Sequence, residues 1–161
     1  MASAYLDALH LLARRALTVS ECRSRLRDRN HTEEQIDAAI AHLLETGGLD
    51  DSKVARGHAR TAAEVKGRGR LRVMRELQAR GVSRDTAAEA IGEVFADKDE
   101  RALVTRALQK KLRGKPRPAN AAEHGRLYQF LMRQGFTPSV VASVLRKLRP
   151  TDLSIEDEDV Q

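Results

Sequence analysis

LRDRNHTEEQIDAAIAHL, from Leu26 to Leu43, recurs without a gap as LQARGVSRDTAAEAIGEV from Leu77 to Val94 and as LMRQGFTPSVVASVLRKL from Leu131 to Leu148. Each copy opens on an apolar residue, Leu26, Leu77 or Leu131. Four positions on stands a turn residue (Asn30, Gly81, Gly135), and two further a helix-capping residue (Thr32, Ser83, Thr137). Apolar side chains then return at helical spacing: Ile36, Ala87, Val141; Ile40, Ile91, Leu145; Leu43, Val94, Leu148. Self-similarity at a spacing of 51 and 54 residues marks a tandem array of one supersecondary unit. An array offers an elongated surface, which favours a long partner over a small enclosed substrate.

Working outward, capping chemistry places two helices in each copy. Thr18 before Val19-Ser20-Glu21 and Thr32 before Glu33-Glu34-Gln35 both fit a capping box, in which hydroxyl and side chain satisfy each other's free helix amides. Pro138 falls at the favoured first helical position. Gly81 and Gly135 suit a left-handed helix stop, with Asn30 the next best residue. A further helix precedes each pair. Its apolar stripe is Tyr5, Leu9, Leu12 and Ala16 in the first unit, and Leu103 or Val104, Leu108 and Leu112 in the third. A weaker Ala-rich stripe in the middle unit holds Val54, Ala55, Ala59, Ala62 and Val65. The expected fold is therefore all-α: three tandem three-helix repeats at roughly 4–46, 50–96 and 97–148, forming an elongated, curved helical array.

Units of about 45 residues lie near the lower limit for an independent core. Aromatic residues make up only 3% of the chain and Trp is absent, so the cores are built from Leu, Ile, Val and Ala, and neighbouring units are expected to support one another. The single Cys22 excludes an intramolecular disulfide, and no Cys cluster can hold zinc. Its place in the apolar row with Val73 and Leu127 reads as a buried thiol. Five scattered histidines (His10, His31, His42, His58, His124) give no three ligands at helical spacing. No nucleophile, base and orienting acid come together. No apolar run is long enough to span a membrane, and no signal-peptide pattern is present. These features point away from an enzyme, a cofactor or a metal protein and towards a cytoplasmic, monomeric binding protein.

Charge is unevenly distributed along the chain, whose total is +6. Residues 1–51 carry six Lys/Arg against nine Asp/Glu. Residues 52–96 carry ten against five, and residues 97–150 thirteen against four. The segment 151–161 has five acids and no base, the composition of a disordered acidic tail. Two basic runs stand out. Lys66-Gly67-Arg68-Gly69-Arg70 continues into a helix with Arg72 and Arg75. Glycines let backbone amides approach an anion and a helix start favours one, so this run could hold a phosphate or carboxylate; the plain alternative is a solvated connector. Lys110-Lys111-Leu112-Arg113-Gly114-Lys115-Pro116-Arg117-Pro118 ends one helix and enters a loop. Contact with DNA phosphate or an acidic protein face stands here beside simple complementarity to a helix C-terminus. Arg23, Arg25, Arg27 and Arg29 read as a solvated face. Phe130 and Phe136, flanking a helix end, read as core rather than as base-stacking residues, for which Tyr128 is the other candidate.

Three motifs stand in order along the chain: Ala13-Arg14-Arg15 with Thr18-Val19-Ser20-Glu21-Cys22, Gly48-Leu49-Asp50-Asp51 with Ala55, and Lys66-Gly67-Arg68-Gly69-Arg70-Leu71 with Glu76-Leu77 and Gly81-Val82. Together they resemble those of the RecX family, bacterial regulators of the RecA recombinase. The first is similar to its R-x-x-S-x-x-E-L, the second to its G-x-[LI]-[DN]-D-x-x-[FY]-A and the third to its G-P-x-R-I-x-x-E-L-x-x-[KR]-G-I. Cys22 stands where Leu is usual, Val54 where an aromatic is common, and Gly69 near an expected Pro or small residue. The resemblance spans about residues 5–149. It implies three three-helix repeats in a curved shape and a non-enzymatic protein. That protein would bind the RecA filament on single-stranded DNA and lower its ATPase, strand-exchange and coprotease activities; the basic runs add bare single- or double-stranded DNA as a further expected partner. Lys66, Arg68, Arg70, Arg72, Arg75, Lys110, Lys111, Arg113, Lys115 and Arg117 are the expected contact residues. The alternative is a direct DNA-binding protein that uses its helix pairs like helix-turn-helix units.

Overall fold

The computed structural model describes residues 3–115 and 117–148; the expected acidic tail lies outside the described residues. Among the described residues there are nine α-helices and no strand. In order they are α1 Ala4–Leu12, α2 Val19–Arg27, α3 Glu33–Glu45, α4 Asp51–Glu64, α5 Arg70–Ala79, α6 Arg84–Phe95, α7 Glu100–Leu112, α8 Ala121–Gln134 and α9 Pro138–Arg146.

The repeated sequence becomes a repeated structure at the level of single residues. Leu26, Leu77 and Leu131 are each fully buried, as are Ile36, Ala87 and Val141. The turn residues all adopt left-handed backbone, with φ of 62° at Asn30, 82° at Gly81 and 90° at Gly135. After the first two turns, the amides of His31 and Val82 donate back to the carbonyls of Leu26 and Leu77 at 3.3 and 3.0 Å. That is the hydrogen bond of a glycine-type helix stop. Both capping boxes form, at Thr18 with Glu21 and at Thr32 with Gln35. The hydroxyl of Ser83 accepts from the Thr86 amide at 3.2 Å. Thr137 departs from the series: its side chain caps nothing. Pro138, with no N–H, already removes one donor from that helix end, and the Thr137 amide donates instead to Glu100 Oε1 at 2.7 Å.

The chain forms two compact units, one comprising the chain to Arg60 with Met74–Val94, the other Thr61–Val73 with the chain from Phe95. In the first, Ala8, Leu11, Leu17, Cys22, Leu26, Ile36, Ile40, Leu43 and Leu49 form one apolar cluster. The stripe expected on α1 is rotated. Ala4, Ala8 and Leu11 face inward, Tyr5 and Leu12 pack at the edge, and Leu9 and Ala16 are exposed. Small Ala side chains let α1 approach α3 closely, and the buried Leu17 supplies the bulk the stripe lacked. Asp50 caps α4 by accepting from the Lys53 amide, while Asp51 accepts from the Val19 amide at 2.9 Å. In the second unit, α7, α8 and α9 pack pairwise around Val104, Leu108, Leu127, Leu131, Phe136, Val141 and Leu145. Each such side chain contributes about 1.5–3 kcal/mol on burial. Ala55, Ala59 and Ala62 of α4 are buried as expected, and Val65 is exposed.

Candidate functional site

The glycine-basic segment makes backbone contacts with the end of α8. Gly67, at φ 61°, ends α4, with the Arg68 amide donating to the Ala62 carbonyl at 2.9 Å. Gly69 then runs against the turn after α8: its amide donates to the Gln134 carbonyl at 2.8 Å, and the Leu71 amide to the Gly135 carbonyl at 3.1 Å. A Cβ on Gly69 would sit 2.4 Å from the Gly135 oxygen and 2.7 Å from the Phe136 ring. The glycine therefore permits a backbone-to-backbone seam, in which the Gly69 and Leu71 amides are spent on carbonyls at the C-terminal end of α8.

Two arginines of the run are tied to nearby backbone carbonyls, Arg72 at this seam and Arg70 at the end of α6. Arg72 reaches the Arg133 carbonyl at 3.3 Å and Gln134 Oε1 at 3.5 Å. A guanidinium at the C-terminal end of α8 also complements the helix dipole. Arg70 donates to the Phe95 carbonyl at 2.9 Å and lies over the Phe95 ring, 5.3 Å from its centroid. Arg68 is half-buried, and Arg75 is exposed and belongs to the first unit. Lys66, with Gly67, lines a groove together with the second run.

That groove, about 410 Å³, is lined by Lys66, Gly67, Ala107, Lys110, Lys111, Arg113, Phe130 and Gln134. The exposed Lys66, Lys110, Lys111 and Arg113 thus share one concavity. The α7 end that carries three of them finishes with Arg113 in left-handed conformation, φ 43°, followed by Gly114 at φ 77°. Lys111 Nζ sits 4.9 Å from the centroid of the Phe130 ring, a cation–π contact that holds the ammonium at the groove wall. A second groove of about 420 Å³ shares Lys111 and adds Leu112, Lys115, Arg117, Pro118, Ala119, Glu123, Arg126 and Leu127. So Lys110, Lys111, Arg113, Lys115 and Arg117 all reach one groove or the other. Arg126, Phe130 and Gln134 were not among the expected contact residues. Their spacing of four along α8 was the available signal, since it sets them in one row on the helix.

Elsewhere several charged side chains pair internally. Arg23 pairs with Asp37 at 2.6 Å, and Arg27 with Glu33. Arg29 and His31 both meet Asp7 at 2.7 Å, and these contacts hold its carboxyl below the usual range. His58 meets Glu76 at 2.8 Å. Cys22 is buried and unpaired, and burial pushes its thiol pKa up, the behaviour of a packing residue rather than a nucleophile. Among the described residues no three His, Cys, Asp or Glu side chains are arranged to hold a metal ion. No helix among them is long and apolar enough to cross a membrane.

Three family models match in succession: the RecX first three-helix domain over residues 4–43, the second over 50–91 and the third over 99–145. The chain belongs to the RecX family. Its fold is accordingly three tandem RecX three-helix domains. It is 36% identical over 135 residues to the regulatory protein RecX of Halorhodospira halophila, covering 83% of this chain and 81% of that one. It is 34% identical over 138 residues to RecX of Chromobacterium violaceum, covering 86% of each. A crystal structure of RecX from Lactobacillus salivarius has the same fold, with TM-score 0.76 at 21% identity, over 93% of this chain and 95% of that one. Another crystal structure, of a regulatory protein RecX, gives TM-score 0.78 at 20% identity over 89% and 71%.

Proposed function

We propose that this chain is a non-enzymatic regulator that binds the RecA filament on single-stranded DNA and lowers its ATPase, strand-exchange and coprotease activities. Its place is then in the control of recombination and DNA repair in the cytoplasm. Membership of a family whose relatives are named regulatory proteins supports the regulatory part. The observation that carries the partner's chemistry is the groove holding Lys66, Lys110, Lys111 and Arg113 in one concavity. Four cations converging there suit a polyanionic or acid-rich surface, which a nucleoprotein filament offers through DNA phosphate and acidic side chains. In the first unit Asp37, Glu33 and Asp7 are already paired to Arg23, Arg27 and Arg29.

Adding the protein to RecA assembled on single-stranded DNA, and following ATP hydrolysis with filament length, tests this reading. Hydrolysis should fall in a dose-dependent way. An unchanged rate at saturating protein rejects it. The same grooves favour a second reading, direct binding of bare DNA. A steep fall in affinity for free DNA with rising salt, with no added affinity for the RecA filament, would select that reading.

A further inference from the structure

The second groove has an occupant close at hand in sequence. Its walls carry Lys111, Lys115, Arg117 and Arg126, all exposed, against the single acid Glu123, and its floor contains the buried Pro118 and Leu127. Glu123 is engaged, accepting from the Ala119 amide at 2.8 Å. The groove is thus cationic at the rim and apolar below.

The chain leaves α9 beside it. The Leu145 carbonyl, in the last turn of α9, lies 3.1 Å from Nε2 of His124, the neighbour of Glu123 on α8. Beyond Leu148 come residues 149–161, outside the described residues. From Thr151 they contain Asp152, Glu156, Asp157, Glu158 and Asp159 with no base, interspersed with Leu153, Ile155 and Val160. Thirteen residues of extended chain reach about 40 Å, ample for a groove next to the exit point.

We propose that residues 151–161 dock into this groove as an internal pseudo-ligand, setting their acids against Lys111, Lys115, Arg117 and Arg126 and their apolar residues over Leu127 and Pro118. The occupant is matched in charge, in apolar content and in tether length. Because Lys111 also lines the groove of Lys66 and Lys110, the tail would compete with an anionic partner at both. The competition rests on the proposed reading of these grooves as the partner surface; the docking itself does not. Exposed ion pairs are individually weak and salt-screened, so occupancy is partial and falls as ionic strength rises.

Paramagnetic relaxation in the full chain tests this. A nitroxide is attached at Val160→Cys, and the buried Cys22 stays unlabelled in the folded protein. At about 20 mM salt, where screening is weak, the amides of Lys111, Leu112, Lys115, Ala119, Glu123 and Leu127 should lose at least about half their intensity. At about 500 mM salt they should recover. They should also recover when Glu156→Gln, Asp157→Asn, Glu158→Gln and Asp159→Asn are combined. No selective broadening of these amides overturns the proposal, and so does broadening that survives neutralisation of the four acids. Broadening found only between labelled and isotope-enriched copies in a mixed sample also overturns it, because the occupant is then a second molecule. Failure of this experiment with RecA inhibition intact would leave the partner surface standing. Loss of inhibition by the wild type would remove the partner reading without touching the docking.

Discussion

The guanidinium of Arg80 closes a two-pronged ion pair on the carboxylate of Glu21, Nε to Oε1 and Nη2 to Oε2 both at 3.0 Å. Beside it the Thr18 hydroxyl donates to the Arg80 carbonyl at 2.6 Å, and a Cβ on Gly81 would lie 2.3 Å from that of Ser20. The start of α2 is thus seated on the turn that follows α5. The start of α5 is seated in the same way on the turn after α8, through Gly69, Arg72 and Gly135. One joint is ionic and the other built from backbone amides, yet equivalent positions of the repeat make both.

The ionic joint makes the first unit sensitive to acid. Burial pushes the Glu21 carboxyl pKa up, but the hydrogen bonds from Arg80 and the Thr18 amide, with the charges of Arg80 and Arg15, outweigh it and bring it down to about 2. The folded value lies below the unfolded one of about 4.3. Its contribution is therefore complete above the unfolded value and lost as pH falls towards 2. After allowance for screening it is on the order of 1–2 kcal/mol. Urea unfolding followed by circular dichroism should show Glu21→Gln less stable than wild type at neutral pH, with the gap closing near pH 2. A gap independent of pH would contradict the assignment.

The left-handed turns differ in how much space surrounds them. At Gly135, φ is 90° and a Cβ would lie 2.3 Å from the Arg72 nitrogen. Gly135→Ala should cost more than about 2 kcal/mol, combining backbone strain with a clash against main chain. Asn30, at φ 62°, is exposed and already carries a side chain. Asn30→Gly should stay within about 0.5 kcal/mol of wild type, because Asn tolerates this conformation. Thermal melting of the two variants measures the contrast.

Neutralising Lys66, Lys110 and Lys111 to Gln should leave the helical spectrum and melting temperature nearly unchanged, since all three are exposed. On the proposed reading it should weaken binding to the RecA filament by about tenfold or more at low salt, with the difference shrinking as salt rises. Arg72→Ala should do the reverse. It should lower the melting temperature, through a loss of about 0.5–1.5 kcal/mol of stability as its contacts with Arg133 and Gln134 disappear. Filament binding by fluorescence anisotropy, set against melting curves, separates the two kinds of cation.

Cys22 should be inert to a thiol reagent in the native protein and react fully in denaturant, because it is completely buried and its pKa is raised by burial. Cys22→Ser should cost about 1–3 kcal/mol, the penalty of a hydroxyl without a designed partner in an apolar cluster. Rapid labelling of the folded protein would mean that α2 opens readily.

Periodicity, caps and turn residues were enough to determine the nine helices found among the described residues, the three-fold repeat and the equivalence of Leu26, Leu77 and Leu131. These features depend on local backbone preference and on which side of a helix is apolar, and both are written in short stretches of chain. The rotation of α1 was not legible. Leu9 and Leu6 are as apolar as Leu11, and only packing against α3 selects Ala4, Ala8 and Leu11 as the inner face. Nor was the division of labour among the cations. Lys66, Arg70 and Arg72 lie within seven residues, yet one lines an open groove and two bind carbonyls of distant turns. Charge is a property of the residue, whereas the partner it meets is set by long-range contacts. Tertiary structure alone decided that Lys66 and Lys110 share a groove, that Gly69 lies in a seam with the turn after α8, and that Leu145 of α9 meets His124 of α8. Each of these joins residues far apart in sequence, where no local periodicity carries the information.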